Sequence, residues 1–371
     1  MEFYFPTRII IKRGCVSENA DRLSSFGKRC LIVTGKSSAK ICGALADITN
    51  ALDTVNVYYK VFDRITQNPL FADCLAGAEA ARACNAEFII ALGGGSPLDA
   101  GKAIACLAPN PDAGEKDMYA QTLRNPPLAV VAVGTTAGTG SEVTQVAVIT
   151  SSDGRKKSFR ADSAFPALAL GDPRYTEFMP ENVTRATAAD ALSHCIESYF
   201  NNTANEFSRL FSIRGAKLIA DIFKSFPVGG RLTQTQRDTL YLASVFGGMA
   251  ISVTGTCIPH ALGYFLTENH GVAHGTACAF WLPYFIEHNL KYAPELSACF
   301  FKEIQTTPTE LTDLIGSIAP KMTVRVDRAE LNGMRERWVN NSCLKKALGD
   351  IDNKYLENLL ERAFLTGEDK S

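Results

Sequence analysis

Residues 88–102 read FIIALGGGSPLDAGK, and their order decides the architecture. The run FIIAL is short enough for a buried strand, Gly93, Gly94 and Gly95 interrupt it, and Ser96 with Pro97 opens a helix that carries Asp99 and Lys102. Glycines let a backbone approach a ligand closely, and the free N–H groups and dipole of a helix start attract phosphate. A tight strand-to-helix turn with a capped helix accounts for the same residues equally well. A second strand exit, LAVVAVGTTAGTGSE at 128–142, tips the balance. Two glycine- and hydroxyl-rich exits in one sheet favour a cradle for the phosphates and ribose of a dinucleotide over two coincidental turns.

Working outward, short β-branched runs at 8–11, 30–34, 54–61, 88–92, 128–133 and 146–150 predict strands, and 72–84 and 97–106 predict helices. That alternation defines a mostly parallel sheet in an α/β domain over 1–176. After Asp172-Pro173 the strand signals fade, and periodic segments at 182–200, 207–223, 235–253, 277–290 and 344–364 predict a helical domain over 177–371, with a cleft between the halves.

With 38 basic and 39 acidic residues the formal net charge is -1, so no global field draws the chain to nucleic acid or anionic lipid. No stretch reaches the roughly 18 uncharged apolar residues of a membrane span, and the first residues lack a signal-peptide pattern. The 11 cysteines are odd in number, scattered and never spaced C-x-x-C, which predicts reduced thiols and a cytoplasmic protein.

Four of the five histidines, His194, His260, His270 and His274, fall in two regions of the second half. Asp190 and His194 stand at i and i+4, about 5–6 Å apart on one helix face, a spacing that suits two ligands of one ion. Alone, such a pair is more often a surface hydrogen bond. The stretch HALGYFLTENHGVAHG at 260–275 is apolar and glycine-punctuated, and clustering in a buried stretch favours the metal. His288, at a helix end, is expected to face solvent, and Cys195 and Cys257 to be small packing residues.

The four motifs GGGSPLDAGK, TTAGTGSE, DALSH and HALGYFLTENHGVAHG, in this order and at these separations, resemble the iron-containing (group III) alcohol dehydrogenase family over roughly residues 5–290. The resemblance implies the dehydroquinate synthase-like fold, with an N-terminal α/β dinucleotide-binding domain, an all-α metal-binding domain and an active site between them. It makes Asp190, His194, His260 and His274 the metal ligands. It sets Gly94, Gly95 and Ser96 at the pyrophosphate with Asp99 nearby, Thr135, Thr136 and Thr139 along the cofactor, and Lys156 near its ribose. Departures are Gly134 before the paired threonines, Thr187-Ala188-Ala189 before the ligands, Pro259 before the third ligand, and Tyr264 where histidine is common. Tyr264 and His270 are the candidate catalytic side chains, although His270 serves equally well as a cap for the turn at Gly271.

One carboxylate and three imidazoles suit iron(II), with zinc as the alternative. The implied reaction is hydride exchange between a nicotinamide and a small primary alcohol or aldehyde, with the metal as Lewis acid. A dehydroquinate-synthase-like lyase that uses NAD transiently is the rival, and its metal set of Glu and two histidines fits less well. The edge-like segment 5–12 points to a homodimer or larger homo-oligomer. At the exit of the second strand, Gly35-Lys36-Ser37-Ser38 lacks the acid that nicotinamide enzymes use to bind the adenosine ribose. It offers a cation and hydroxyls to a 2′-phosphate, which favours NADP(H) over NAD(H). A plain strand-exit turn before a Ser-capped helix uses the same residues.

Overall fold

The computed structural model describes residues 2–226, 230–319, 322, 324–338 and 341–364, with the side chains of 335–337 outside that description. The last seven positions of the expected helical domain, 365–371, lie outside the described residues. The strands are β1 (Arg8–Ile11), β2 (Arg29–Gly35), β3 (Tyr58–Ile65), β4 (Phe88–Gly93), β5 (Ala129–Gly134), β6 (Val146–Thr150), β7 (Lys156–Arg160) and β8 (Leu168–Gly171). Six of them form one parallel sheet in the order β1-β8-β5-β4-β2-β3. The central β4 is buried throughout because every residue of FIIAL is apolar, as a parallel strand covered on both faces requires. Its side chains alternate between two cores. Phe88 and Ile90 join Ile32 on one face, and Ile89 and Ala91 join Leu31 and Val33 on the other.

The chain runs outward from β2 to β3 on one side and from β4 to β5 on the other, so the topological switch lies at the adjacent ends of β2 and β4. In open α/β sheets ligands bind at that crevice, and both Gly35 and the glycine run at 93–95 end there. The helix Gly95–Leu107 follows directly. It crosses β4 closely because position 101 has no side chain: a Cβ at Gly101 would stand 2.5 Å from the Cβ of Ala91.

The second half is helical. The helix Glu181–Tyr199 is buried along nearly its whole length, which makes it a core element rather than an amphipathic surface helix. Glu206–Lys224, Gln234–Thr254 and His274–Tyr292 pack around it, and one apolar cluster runs from these helices to Ala137, Val143 and Ala169 of the first half. Arg13 adds a polar tie, with Nε 3.0 Å from Asp238 and Nη1 2.7 Å from Glu177. All 11 cysteines are free, and Cys195 and Cys257 are core residues. No single described helix is long and apolar enough to cross a membrane, and the one bent pair that passes by length and composition, Gln234–Thr254 with Ile258–His270, belongs to this core.

Several expected elements differ. The third strand runs four residues later than 54–61, because the preceding helix Ala44–Thr54 consumes its start and Asn56 turns the chain at φ 53. The segment 146–150 pairs antiparallel with β7 in a separate hairpin instead of joining the sheet. β7 (KKSFR) and β8 (LALG) were not expected: one is mostly charged, the other short and without β-branched residues. The segment 344–364 is not one helix. A 3-10 turn at Leu344–Lys346 and Gly349, at φ 78, precede the helix Asn353–Phe364. His288 does not face solvent but is 3% exposed, its Nε2 2.5 Å from the carbonyl of Leu348.

The close crossing over β4 gives a direct test of the fold. Gly101→Val must push the helix away from Ala91 and is expected to destabilise the protein by about 1–3 kcal/mol, read as a lower urea midpoint.

Candidate active site

Asp190 and His194 sit one turn apart on the buried helix Glu181–Tyr199, His260 lies in the first turn of Ile258–His270, and His274 opens His274–Tyr292. Gly271, at φ 64, turns the chain between the last two helices. One oxygen collects the set: Asp190 Oδ1 is 3.8 Å from His194 Nε2, 3.5 Å from His260 Nε2 and 3.8 Å from His274 Nε2. Tetrahedral donors about 2.1 Å from one ion stand roughly 3.4 Å apart, and the three contacts to Asp190 Oδ1 are close to that; the donors of Asp190, His260, His274 and Cys278 all lie within 4.8 Å of one another, a group to which His194 adds its contact with Asp190. Asp190 Oδ1 and His260 Nε2 are buried and have no hydrogen-bond partner among the described residues, an arrangement that is costly unless a ligand fills the gap.

Protonation agrees. Burial alone would push the Asp190 carboxyl up, but the imidazoles of His194, His260 and His274 outweigh it and hold the group below the usual carboxylate range. Burial drives His274 down to about 3 against the pull of Asp190 and lowers His194 in the same way. His260 is the exception: against burial, Cys278 and Glu197 raise it well above the usual imidazole range. An ionised carboxylate and neutral imidazoles are the forms that bind a metal.

Two nearby residues were missed by the sequence analysis. Glu197 is fully buried, with Oε1 2.5 Å from His260 Nδ1 and also accepting from Ser193 Oγ at 2.5 Å, while Oε2 accepts from the Cys257 amide at 2.6 Å. Burial opposes its charge, yet His260 first, then Ser193 and the Cys257 amide, lower its pKa overall. The carboxylate keeps the His260 proton on Nδ1 and leaves Nε2 free to face Asp190. Its signal was an acid at three residues from His194 and seven from Asp190 inside a core helix. Cys278, one turn after His274, is the other: its buried Sγ is 3.8 Å from His274 Nε2, and it groups with Asp190, His260 and His274 within 4.8 Å.

The cluster closes one end of a cleft of about 660 Å³ that also reaches Gly35, Lys36, Ser37, Gly94, Gly95, Ser96, Asp99, Thr136, Thr139, Lys156 and Tyr264. The two glycine loops touch there, since a Cβ at Gly95 would come 2.7 Å from Thr139. Asp99 is already engaged, accepting from Ser141 Oγ at 2.5 Å and from the Val148 amide at 2.9 Å, so it knits the loops together. Lys102 lies beneath them, fully buried, bonded to Ser141, Thr144 and the Val146 carbonyl and pulled down to about 8 by burial. Tyr264 stacks on His274, ring centroids 5.4 Å apart, and burial raises its pKa, so the hydroxyl keeps its proton at neutral pH.

Two expected residues are not brought to the cleft. Thr135 is buried, its amide bonded to the Gly93 carbonyl, and its side chain does not line the cleft. His270 ends its helix with Nε2 2.8 Å from Glu330 and does not line the cleft.

Comparison with known proteins places this geometry. A family model for iron-containing alcohol dehydrogenases matches residues 6–173, and one for the C-terminal part of the Fe-containing alcohol dehydrogenase family matches 184–330. The probable alcohol dehydrogenase EutG of Escherichia coli is 32% identical over 320 residues, 85% of this chain and 80% of that protein. Among solved structures, an iron-containing alcohol dehydrogenase of Thermotoga maritima superposes with a TM-score of 0.90 at 33% identity, covering 98% of this chain and 99% of that one. Sulfoacetaldehyde reductase of Bifidobacterium kashiwanohense, solved with NAD+, does so at 0.88 and 27% identity, covering 98% and 99%. The chain belongs to the iron-containing alcohol dehydrogenase family. It is accordingly an enzyme of the alcohol dehydrogenase class.

Because Glu197 orients His260, Glu197→Gln is expected to weaken iron(II) or zinc affinity about 10–100-fold without unfolding the protein, measured by competition with a chelator of known affinity.

Proposed function

We propose that this protein interconverts a small aldehyde and its primary alcohol, with Asp190, His194, His260 and His274 holding one iron(II), for which zinc can substitute. The observation that carries this is the single buried carboxylate oxygen ringed by three imidazole nitrogens at 3.5–3.8 Å, at one end of a cleft whose other end is the glycine cradle. When bound, the ion supplies Lewis acidity to the alcohol or carbonyl oxygen and the nicotinamide supplies the hydride chemistry. The chain's own residues do the rest. The amides after Gly94 and Gly95 meet the pyrophosphate, Thr136 and Thr139 line the dinucleotide, and Lys156 sits near its ribose. Tyr264, protonated and stacked beside His274, offers a hydroxyl to the substrate. We also propose that β1, at the sheet edge, pairs subunits in a homodimer or larger homo-oligomer, and that the enzyme is cytoplasmic.

The coenzyme is proposed to be NADP(H) in preference to NAD(H). Gly35, Lys36 and Ser37 line the cleft at the end of β2, with no acid there to repel a 2′-phosphate and one cation to meet it.

Two measurements check these assignments. After anaerobic loading with iron(II), aldehyde-dependent oxidation of NAD(P)H should be seen, and His274→Ala should lose both bound metal and turnover; normal metal content and rate in that variant would sink the ligand set. For the coenzyme, kcat/KM should be higher with NADPH, and Gly35→Asp should shift preference toward NADH by about 1–3 kcal/mol. A Cβ at 35 comes within 3.3 Å of the Ile65 carbonyl, so Lys36→Ala serves as a second arm, lowering kcat/KM for NADPH more than for NADH. A higher native kcat/KM with NADH would end the proposal.

A further inference from the structure

The cleft has a cationic corner beside the metal cluster and the coenzyme cradle, and it shares only Lys156 with the coenzyme. Lys156, Ser158 and Arg160 alternate along β7 and therefore share one face, and all three line the cleft. Arg160 Nη2 donates to the Ser252 carbonyl at 2.5 Å and to that of Val253 at 3.3 Å, while Lys346, from the far end of the chain, donates Nζ to the Thr254 carbonyl at 2.9 Å. Both cations are thus drawn to the negative end of the helix Gln234–Thr254 and converge over Gly255, where an added Cβ would meet Lys346 Nζ first and Arg160 Nη1 at 3.9 Å.

Their partners there are neutral carbonyls. Among the described residues no carboxylate forms an ion pair with Arg160, Lys346 or Lys156. The acids that act on them are Asp162 on Arg160 and, on Lys156, Glu268 first and then Asp190 and Asp99, while the Glu268 carboxylate accepts from the Lys156 amide at 3.0 Å; Arg160 and Lys346 are thus the less compensated pair. The acidic side chains lining the cleft are Asp99, tied to Ser141 and Val148, and Asp190, in the metal set. Uncompensated cations in a concave, low-dielectric wall focus a positive potential. Arg160 keeps Nη1 and Nε unengaged among the described residues, and a guanidinium fork is suited to a planar or tetrahedral oxyanion. The corner adjoins the reacting end of the cleft: Lys156 Nζ stands 5.5 Å from the ring of Tyr264, which stacks on His274, and Gly255 and His260 belong to one short stretch of chain, 255–260.

We propose that the substrate is an aldehyde, or its alcohol, that carries an anionic group remote from the reacting carbon, and that Arg160 and Lys346 hold that group. This rests on the dehydrogenase function proposed for the same cleft. Arg160 and Lys346 are specificity-determining residues and take no part in the hydride or proton transfer.

The test compares kcat/KM of the metal-loaded enzyme for short ω-oxocarboxylates with that for uncharged n-aldehydes of matched length. The anionic series should be favoured about tenfold or more, chiefly through KM, and the advantage should narrow at high salt. Arg160→Gln and Lys346→Gln should each cut the anionic-to-neutral ratio several-fold, and Arg160→Lys should restore part of it. A ratio near one in the native enzyme, or a ratio that neither Gln variant moves, overturns the inference while leaving the dehydrogenase function intact if neutral aldehydes are turned over. Absence of turnover with every aldehyde and both coenzymes overturns both.

Discussion

The structure depends on one expensive placement, an ionised carboxylate in the middle of a helix that is buried on all sides. Asp190 is 4% exposed and one of its oxygens has no donor among the described residues. Such a charge is tolerated only when paired or bound to a metal. Three imidazoles arrive from three helices to meet it, and their positions require the helices to start and stop where they do. His260 must fall in the first turn after Pro259, and Gly271 must reverse the chain so that His274 begins the next helix. Glu197 then fixes the tautomer of His260 from behind. Packing of the second half and assembly of the site are the same requirement.

The first half answers to a different constraint, close approach. Its sheet brings the ends of β2 and β4 together at the topological switch, and the helix Gly95–Leu107 follows β4 without a spacer. Gly95 against Thr139 and Gly101 against Ala91 allow loop to meet loop and helix to meet strand. The buried Lys102, bonded to three acceptors, joins that helix to the segment leading into β6, whose hairpin partner β7 forms the cationic wall of the cleft. The glycine loops and this wall are thereby mechanically linked.

How much of this could be read in the sequence follows from where the signal is local. FIIALGGGSPLDAGK marks its strand, turn and helix by residue type alone, whereas spacing left Asp190 and His194 open to a surface hydrogen bond and it was the resemblance of DALSH and HALGYFLTENHGVAHG to the family that singled out the four residues the fold brings together. Glu197 was not legible, since an acid on a core helix has no local mark of the partner it will find 63 residues later. β8 lacked β-branched residues and β7 is mostly charged, so their strand character comes from tertiary pairing. His270 looked catalytic by proximity in sequence, yet helix periodicity turns it to Glu330 instead. Cys278 was overlooked because a thiol without C-x-x-C spacing reads as packing; helix spacing sets it beside His274, and the fold brings Asp190 and His260 to the pair.

The claim that holds these parts together is that Asp190 and the three imidazoles close around one ion. Anomalous diffraction at the iron edge, from crystals of protein loaded anaerobically with iron(II), tests it most directly. The account requires a single peak with one oxygen and three nitrogen donors about 2.0–2.2 Å away, from Asp190, His194, His260 and His274. A peak elsewhere, no peak with the protein intact, or an ion held by the Cys278 sulfur in place of one of these imidazoles would contradict it.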